Sequence, residues 1–511
     1  MAAIVNKILI CTGFIFMLMV AGSCKFGNLD GQVQNLNVSK SKEAAGKASE
    51  EEKSGPETET KPESGLEAGA EPEPKPKAEA ETGKKIKSRE DEEKSKEEVE
   101  LEKKEEKNNK RLWSILIYMS GDNNLEASAI EDFVEMEKSR LNTDEISVLV
   151  LLDRNPAYDT SNMNWSGTKF FELQTGRDKS QKQFISRQIE CETLGLSSNE
   201  TTELDMSSAY VLRTALEFVY EEYPAEDYGL IIWGHGTGWR GFSYDETSKT
   251  YMTLNQLEKA VSGVIPDSKL NFIGFDSCFG PTFEVLYQLK NCADYVMGSE
   301  GLLMSAGWNY TDLFNAFETL ENKSALELCK ASVGQFKSWY EKSVESKFCL
   351  IQMEGMTAYS NAFEDFMEKA SAYINSRRIR DDLMELIYSD MSSKVEQFSY
   401  GSAGSDIYLD VSSLADCLYG YFQDLKYRNE LYPIYKNFKD VSEKTIICDT
   451  GGISVYFSTL TVGNHLAVTH PKAYINGSEI NQVEFVKNIK SYVPGVKDNN
   501  SFLGKLFYEN F

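Results

Sequence analysis

A histidine and a cysteine, 43 positions apart, each follow an apolar run of the kind that forms a buried strand. His235 stands between Gly234 and Gly236 in YGLIIWGHGTGW, and Cys278 stands two residues after Asp276 in LNFIGFDSCFG. Two such strands can bring an imidazole and a thiol together at one edge of a sheet. A thiol beside a base is the minimum apparatus for nucleophilic catalysis by a thiolate.

The thiol needs a neighbouring base because a free cysteine has a pKa near 8.5 and is therefore mostly protonated at neutral pH. Of the three histidines in the chain, His235 is the one in a glycine-rich turn, and we interpret His465 and His470 as structural or surface residues. The acyl intermediate also needs hydrogen-bond donors for its oxyanion. The backbone N–H groups of Gly236 and Cys278 are candidates, because a glycine lets the backbone approach closely.

The elements that must position these residues alternate between apolar strands and amphipathic helices. We predict strands over 113–121, 146–153, 228–233, 271–276 and 293–300, and helices over 125–140, 207–223, 254–264 and 279–289. This alternation predicts a parallel sheet covered on both faces. Ligand sites in such sheets lie at the carboxyl ends of the strands. His235, Cys278 and Glu300 all fall at predicted carboxyl ends.

Beyond residue 302 the pattern is less regular. Helical patterns run over 311–336 and 356–377, and strand-like pieces cover 349–353, 406–411 and 452–458. The pattern leaves open whether this region is a separate domain or an extension packed on the first.

The N-terminus has the features of an export signal. Residues 1–24 contain a basic residue, a 13-residue apolar run that is too short to span a bilayer, and small residues before Cys24. This pattern resembles a bacterial lipobox, in which Cys24 becomes the lipidated N-terminus, although Ala21 replaces the usual leucine. The alternative is an ordinary cleaved signal with an incidental cysteine.

Residues 25–110 are rich in Glu and Lys and poor in aromatic residues. Such a segment cannot bury enough apolar surface to offset its ordering entropy, so we predict a disordered tether or spacer. The net charge of the whole chain is -26, which argues against nucleic acid as a partner. The nine cysteines include no CxxC pair, which argues against a zinc knuckle.

Several segments together resemble the clostripain-like cysteine peptidases, family C11 of the caspase-like clan. They are WSILIYMSGDNNLE, YGLIIWGHGTGW, FDSCFGPTFEVLYQLKNCADYVMGSE and GISVYF. The resemblance implies an α/β fold, namely a caspase-like three-layer α/β/α sandwich with a mostly parallel central sheet and a C-terminal α+β extension. We accordingly divide the chain into a catalytic core over 111–345 and a C-terminal α+β part over 346–511, packed on the core.

The same resemblance implies roles for single residues. His235 would be the general acid/base and Cys278 the nucleophile, with Gly236 and Cys278 forming the oxyanion hole. Asp276, together with Glu300, would line an S1 pocket that selects Arg or Lys, since a carboxylate pairs with a cation. A helix cap is the alternative role for Asp276.

The chain departs from the family pattern beside that pocket. Gly301 stands where a second glutamate is common, and Ala306 stands where a second pocket carboxylate is expected. These two substitutions therefore weaken the case for strict specificity for Arg or Lys, but they do not affect the case for catalysis by His235 and Cys278. In GDNNLE, Asp122 or Asn123 could lie near the cleft, although a turn and helix cap explain both equally well.

Family members can mature by self-cleavage behind a basic residue after the histidine. Lys249 in DETSKT is the candidate here, and a plain surface lysine is the alternative. Calcium as a cofactor is implied only by the resemblance to this family. The chain has no DxDxDG loop, so we predict no metal site from the sequence.

Three functions fit these observations. The first is a secreted or lipid-anchored endopeptidase of the bacterial cell envelope that cuts protein or peptide substrates after basic residues. The second is a catalytically altered surface lipoprotein that uses the fold for binding. The third is a peptidase of the same fold with a non-basic P1 preference.

Overall fold

The computed structural model describes residues 110–340, 347–388, 395–400, 406–447, 451–461 and 467–469, with Asn488, Phe502 and Lys505. Its strands are β1 Arg111–Gly121, β2 Ile146–Arg154, β3 Gly167–Glu172, β4 Arg187–Ile189, β5 Ala225–Trp233, β6 Phe242–Asp245, β7 Thr250–Met252, β8 Leu270–Asp276, β9 Ala293–Ser299, β10 Phe348–Gln352, β11 Gln397–Tyr400, β12 Asp406–Asp410, β13 Ser454–Thr461 and β14 Ala467–Thr469. Its α-helices are α1 Glu126–Lys138, α2 Ala209–Glu222, α3 Leu254–Val261, α4 Phe283–Leu289, α5 Tyr310–Thr319, α6 Ala325–Tyr340, α7 Met356–Ala372, α8 Arg377–Tyr388, α9 Val411–Phe422 and α10 Arg428–Thr445.

Eight strands form one sheet in the order β10-β9-β8-β5-β1-β2-β3-β4. The five central strands, β9 to β2, run parallel to their neighbours, and the outer strands pair antiparallel. The predicted mostly parallel sheet is confirmed. Because the chain goes from β1 to β2 on one side and then to β5 on the other, the strand order reverses between β1 and β5. In α/β sheets this switch point is where ligands bind.

Both faces of the sheet are buried, which explains why its strands are apolar throughout. Along β1, Leu116 and Tyr118 belong to one core cluster, and Ile115 and Ile117 to the other. The first core also contains residues of α2, α3, α4 and α7, and the second contains residues of α1, α5 and α6. The result is three layers, helix on sheet on helix.

The C-terminal strands form a second sheet in the order β11-β12-β13-β14. It contacts the loops at the carboxyl edge of the large sheet. Tyr408 Oη donates to Thr237 O at 2.9 Å, and Gly452 N donates to Glu300 Oε1 at 2.7 Å. The strand β10, which lies within the predicted C-terminal part, is an edge strand of the large sheet.

Two predicted helices differ from the structure in a way that local geometry explains. The pattern over 311–336 is two helices, α5 and α6, because the chain leaves the helical region at Leu320 with ψ 128°. The helix predicted from residue 279 begins only at Phe283, because Phe279 takes a left-handed φ of 56°. In the described part of the chain, no helix combines the length and the apolar character that crossing a membrane requires.

Candidate active site

His235 lies in a tight turn directly after β5. Gly234 has φ 130°, a conformation that residues with a side chain rarely adopt, so the turn requires glycine there. Gly236 needs to be glycine for a different reason, since a Cβ atom there would collide with the carbonyl oxygen of Cys278. The histidine loop and the cysteine loop are therefore in direct backbone contact.

Cys278 follows β8, the parallel neighbour of β5. The two strands end level with each other, with Trp233 beside Asp276 in the register. His235 and Cys278 both line one cavity of about 140 Å³ at this edge. Leu303 and Met304 also line it, so the cavity is partly apolar. The structure thus brings together the two residues that the sequence analysis singled out.

Each of the two reactive side chains has a hydrogen-bond partner that the sequence analysis missed. His235 Nε2 lies 2.8 Å from Asn124 Oδ1, and because an amide oxygen only accepts, this contact is a hydrogen bond in the tautomer that carries its proton on Nε2. Cys278 Sγ accepts a hydrogen bond from Leu303 N at 3.2 Å and donates to Leu303 O at 3.6 Å. Asn124 belongs to the DNN segment at the end of β1, so its strand-end position was the available signal.

Burial controls the ionisation of both groups. The pKa of the Cys278 thiol is raised to about 11, mainly because the thiol is buried. The hydrogen bond from the Leu303 N–H lowers this pKa by a smaller amount, and the charge of Asp276 raises it. Burial also lowers the pKa of His235. At neutral pH the structure therefore holds a neutral thiol beside a neutral imidazole.

Asp276 lies at the inner wall of the same cavity, with 3% of its surface exposed. Its Oδ2 accepts hydrogen bonds from Tyr310 Oη at 2.9 Å and Trp308 N at 3.3 Å. Its Oδ1 has no hydrogen-bond partner among the described residues. Burial raises the pKa of Asp276 to about 7, although Tyr310 and Trp308 oppose the shift.

The structure does not bring Glu300 to this cavity. Its N–H donates to Lys347 O at 3.1 Å, which ties residue 300 to the β10 side of the sheet. Its carboxyl lines a separate cavity of about 490 Å³ with Lys347 and Asp410. Ala306 is not among the residues that line the His235–Cys278 cavity, whereas Gly307 is.

Gly236 and Lys249 belong to the segment that follows the histidine. Thr237 N donates to Gly241 O and Ser243 N to His235 O, each at 3.0 Å, so Gly236 forms a non-hydrogen-bonded pair with Phe242. In such a pair the N–H points away from the partner strand. Lys249 is exposed in the turn between β6 and β7, with φ 60°. Cys24 lies outside the described residues.

Four carboxylates form a cluster near the switch point of the sheet. One carboxylate oxygen from each of Asp122, Asp153, Glu203 and Asp245 lies within 4.8 Å of the others. These residues come from four separate segments, so no local motif could reveal the cluster in the sequence. Oxygen-only ligand sets of this kind suit hard cations such as Ca²⁺.

Known proteins share this architecture and parts of this sequence. Clostripain of Hathewaya histolytica is 24% identical over 236 residues, which make up 42% of this chain and 43% of clostripain. The chain thus matches less than half the length of that curated relative.

Two solved structures resemble the fold. A secreted C11 cysteine protease from Bacteroides thetaiotaomicron, in complex with an irreversible peptide inhibitor, is similar with a TM-score of 0.50 and 19% identity, covering 74% of this chain and 99% of that one. An inactive zymogen C11 protease from Parabacteroides distasonis has a TM-score of 0.49 and 20% identity, covering 68% and 92%.

The first of these two likenesses confirms the predicted fold class. A sequence profile of the clostripain family matches residues 117–454, more than half of the chain and a span that includes both His235 and Cys278. The chain therefore belongs to the clostripain family, peptidase family C11.

Proposed function

We propose that this protein is an exported cysteine endopeptidase in which His235 and Cys278 form the catalytic dyad. One observation carries the proposal: both side chains line the same cavity at the carboxyl ends of two adjacent parallel strands. Cys278 is a free thiol, as a nucleophile must be. Membership of the clostripain family supports the same chemistry.

The reaction begins when a peptide enters the cavity and displaces Leu303 from the thiol. In the tautomer whose proton lies on Nε2, facing Asn124, Nδ1 of His235 is the basic nitrogen that takes the proton from Sγ. The sulfur then attacks the scissile carbonyl carbon, and the C=O electron pair becomes an oxyanion. Collapse of this intermediate breaks the C–N bond, and His235 gives its proton to the leaving amine.

Water completes the cycle. It attacks the thioester carbonyl while His235 accepts a proton, the C–S bond then breaks to release the carboxylic acid product, and the imidazolium returns its proton to Sγ to regenerate the neutral Cys278 thiol. The Gly236 N–H and the Cys278 N–H stabilise the oxyanion in both halves. The direction of the Gly236 N–H, away from Phe242, supports this role. Removing one such donor costs about 3–4 kcal/mol of transition-state stabilisation.

Asp276 selects a basic side chain at P1. Asp276 is one of the residues that line the cavity, and its Oδ1 is buried without a hydrogen-bond partner among the described residues. A guanidinium or ammonium group would satisfy that oxygen by a charge-assisted hydrogen bond. Glu300 is not part of this proposal, since its carboxyl lines a different cavity.

A non-basic P1 preference is the second candidate. It is favoured by the raised pKa of Asp276, which leaves the carboxyl partly protonated at neutral pH. The apolar side chains of Leu125, Trp233 and Leu303 on the cavity wall also suit an apolar P1 residue.

Export and membrane attachment complete the proposal. Residues 1–24 act as the signal, Cys24 carries the lipid, and residues 25–110 tether the folded part to the cell envelope. Lys249 is the site of self-processing, because it is a basic residue on an exposed turn.

A panel of fluorogenic peptides that differ only at P1 tests the proposal on the full chain. Cleavage after Arg and Lys that is abolished in Cys278→Ala is expected. The matched control Cys292→Ala, which alters a buried cysteine away from the cavity, should keep activity. Thiol-dependent cleavage after other residues would support the second candidate. No thiol-dependent turnover on any peptide would overturn the enzyme proposal in favour of a binding role.

A further inference from the structure

A second cavity, of about 490 Å³, lies where the C-terminal strands meet the β9–β10 side of the large sheet. Its volume falls within the range of small-molecule sites, which is about 300–1,000 Å³. Among the described residues it shares no lining residue with the cavity of His235 and Cys278. The peptidase chemistry proposed above therefore does not use it.

Two buried carboxyl groups, those of Glu300 and Asp410, stand on the wall of this cavity. Glu300 is 1% exposed and Asp410 is 7% exposed. Gly452, another wall residue, faces both of them, because a Cβ atom there would lie 3.4 Å from Glu300 Oε2 and would collide with Asp410 Oδ2. Neither carboxyl forms a salt bridge in the described part of the chain. Two neighbouring carboxylates repel each other unless a proton or a cation neutralises them.

One oxygen of Glu300 points to a ligand. Its Oε1 accepts a hydrogen bond from Gly452 N at 2.7 Å. Its Oε2 is buried and has no hydrogen-bond partner among the described residues. A buried carboxylate oxygen without a partner is costly. A hydrogen-bond donor brought in by a ligand would remove this cost, and a positively charged donor would bind most strongly.

The charges at the two carboxyls favour a cation. Burial raises the pKa of Glu300 well above its usual range, and the charge of Asp410 raises it further. The hydrogen bond from Gly452 N and the charge of Lys347 lower this pKa by smaller amounts. Burial also raises the pKa of Asp410. A cation bound beside the pair would oppose these shifts by stabilising the ionised forms.

The two lysines on the cavity wall already pair with other acids. Lys347 Nζ lies 2.9 Å from Glu396 Oε1, and Lys439 Nζ lies 3.1 Å from Asp416 Oδ1. Their ammonium groups are therefore engaged outside the buried pair. A cation for Glu300 would have to come from a ligand.

The rest of the wall indicates which kind of cation fits. Ile446 and Ile447 also line the cavity and offer apolar surface to a methylene chain. This wall and the volume of the cavity suit an organic cation better than a bare metal ion. Ammonium and guanidinium groups carry several N–H donors, so either group can bond two carboxyls at once. We propose that this cavity binds an organic cation, an alkyl chain that ends in a primary ammonium or guanidinium group, at Glu300 and Asp410.

The test uses the full-length chain with Asp276→Asn and Cys278→Ala, in which neither the proposed P1 carboxylate nor self-cleavage interferes. Calorimetric titration with agmatine, which carries both cationic groups on one alkyl chain, should give one saturable site with a Kd of about 1 mM or tighter. N-butylurea, an uncharged analogue, should not bind. Agmatine should also slow hydrogen exchange in peptides that cover 298–302 and 406–412.

A tripeptide with blocked ends and a central arginine identifies the source of the cation. An affinity equal to that of agmatine would assign the site to basic side chains of peptides. Binding of agmatine alone would assign it to free amines.

One substitution in the same chain makes the test specific. Glu300→Gln should weaken agmatine binding about tenfold or more, because it removes the carboxylate partner of the cation. The matched control Glu354→Gln, at an exposed position outside the cavity, should keep it. Without agmatine, Glu300→Gln should unfold at or above the temperature of its parent, because the amide oxygen still accepts from Gly452 N and a buried ionisable group is gone. This measurement separates loss of binding from misfolding.

Three results would overturn the proposal: no saturable agmatine site, a site of unchanged affinity in Glu300→Gln, or equal binding of N-butylurea. Because the chain tested lacks Cys278 and the Asp276 carboxylate, the outcome is independent of the proposed peptidase function.

Discussion

At the scale of single residues, both side chains of the proposed dyad, His235 and Cys278, are hydrogen-bonded to neighbouring groups and are neutral at neutral pH. The backbone N–H and carbonyl of Leu303 both form hydrogen bonds with the thiol of Cys278, and the side chain of Asn124 forms one with the imidazole of His235. Burial disfavours the thiolate and the imidazolium alike. In the proposed mechanism the Cys278 thiolate and the His235 imidazolium therefore form only when a substrate displaces Leu303 from the thiol. The negative charge of the thiolate then passes to the substrate carbonyl oxygen, which becomes the oxyanion.

The first prediction concerns the thiol without substrate. Because the pKa of Cys278 is raised to about 11, its thiolate fraction should increase about tenfold per pH unit from pH 6 to 9.5. The rate of iodoacetamide alkylation at Cys278, followed by peptide mass spectrometry, should rise accordingly without a plateau. A plateau at neutral pH would instead reveal a preformed thiolate–imidazolium pair and contradict the resting state described here.

The second prediction concerns Asp276 and P1 charge. Asp276→Asn should remove about 2–5 kcal/mol of transition-state binding for substrates with Arg at P1, a loss of roughly 30-fold or more in kcat/KM. A matched substrate with Ala at P1 should change little. Because the pKa of Asp276 is raised to about 7, the carboxyl is protonated below that pH and ionised above it.

The ratio of kcat/KM for Arg over Ala should therefore rise with pH through about 7 in the wild-type protein. Taking the ratio removes the pH dependence that the dyad imposes on both substrates. A ratio that is independent of pH and unaffected by Asp276→Asn would assign P1 selection to other residues.

At the scale of elements, the short β6–β7 hairpin connects several parts of the site. Its first strand pairs antiparallel with the segment that carries His235, since Ser243 N donates to His235 O, and Asp245 joins the carboxylate cluster. Lys249 lies on its exposed tip with a left-handed φ of 60°. A peptidase binds extended substrate, so cleavage there requires the turn to open first.

The third prediction is that the full-length chain is cut behind Lys249. Intact mass spectrometry of the purified protein should show two fragments for the wild type and one chain for Cys278→Ala. Lys249→Gln should block the cut, whereas Lys182→Gln, another exposed lysine, should not. A wild-type chain that stays whole under conditions of full activity would exclude processing as a requirement.

The scale of elements also shows why some expectations from the sequence were incomplete. The end of β9 predicted Glu300 at the carboxyl edge, which is where its backbone lies. Which cavity its side chain enters is decided by the contacts of Lys347 and Gly452, more than forty residues away in the chain. Such long-range contacts have no local pattern in the sequence.

At the scale of the whole molecule, residues 1–110 and the rest of the chain have different compositions and different proposed roles. The fourth prediction is that Cys24 attaches the protein to a membrane. In bacterial cells, the wild-type protein should partition into the detergent phase of a Triton X-114 extract, and Cys24→Ala should move it to the aqueous phase. Ser23→Ala, which keeps the cysteine, should partition like the wild type. A wild-type protein found in the aqueous phase would contradict lipidation.

The sequence by itself determined the five parallel strands of the large sheet and the positions of His235 and Cys278 at its carboxyl edge. These features follow from local causes, because apolar runs of strand length must be buried and a glycine-flanked turn lets backbones meet. The tertiary structure alone decided the partners: Asn124 on His235, Leu303 on Cys278, and four acidic residues from separate segments in one cluster. Folding brings these groups together across long stretches of chain, and their ionisation depends on burial, which no single segment of sequence records.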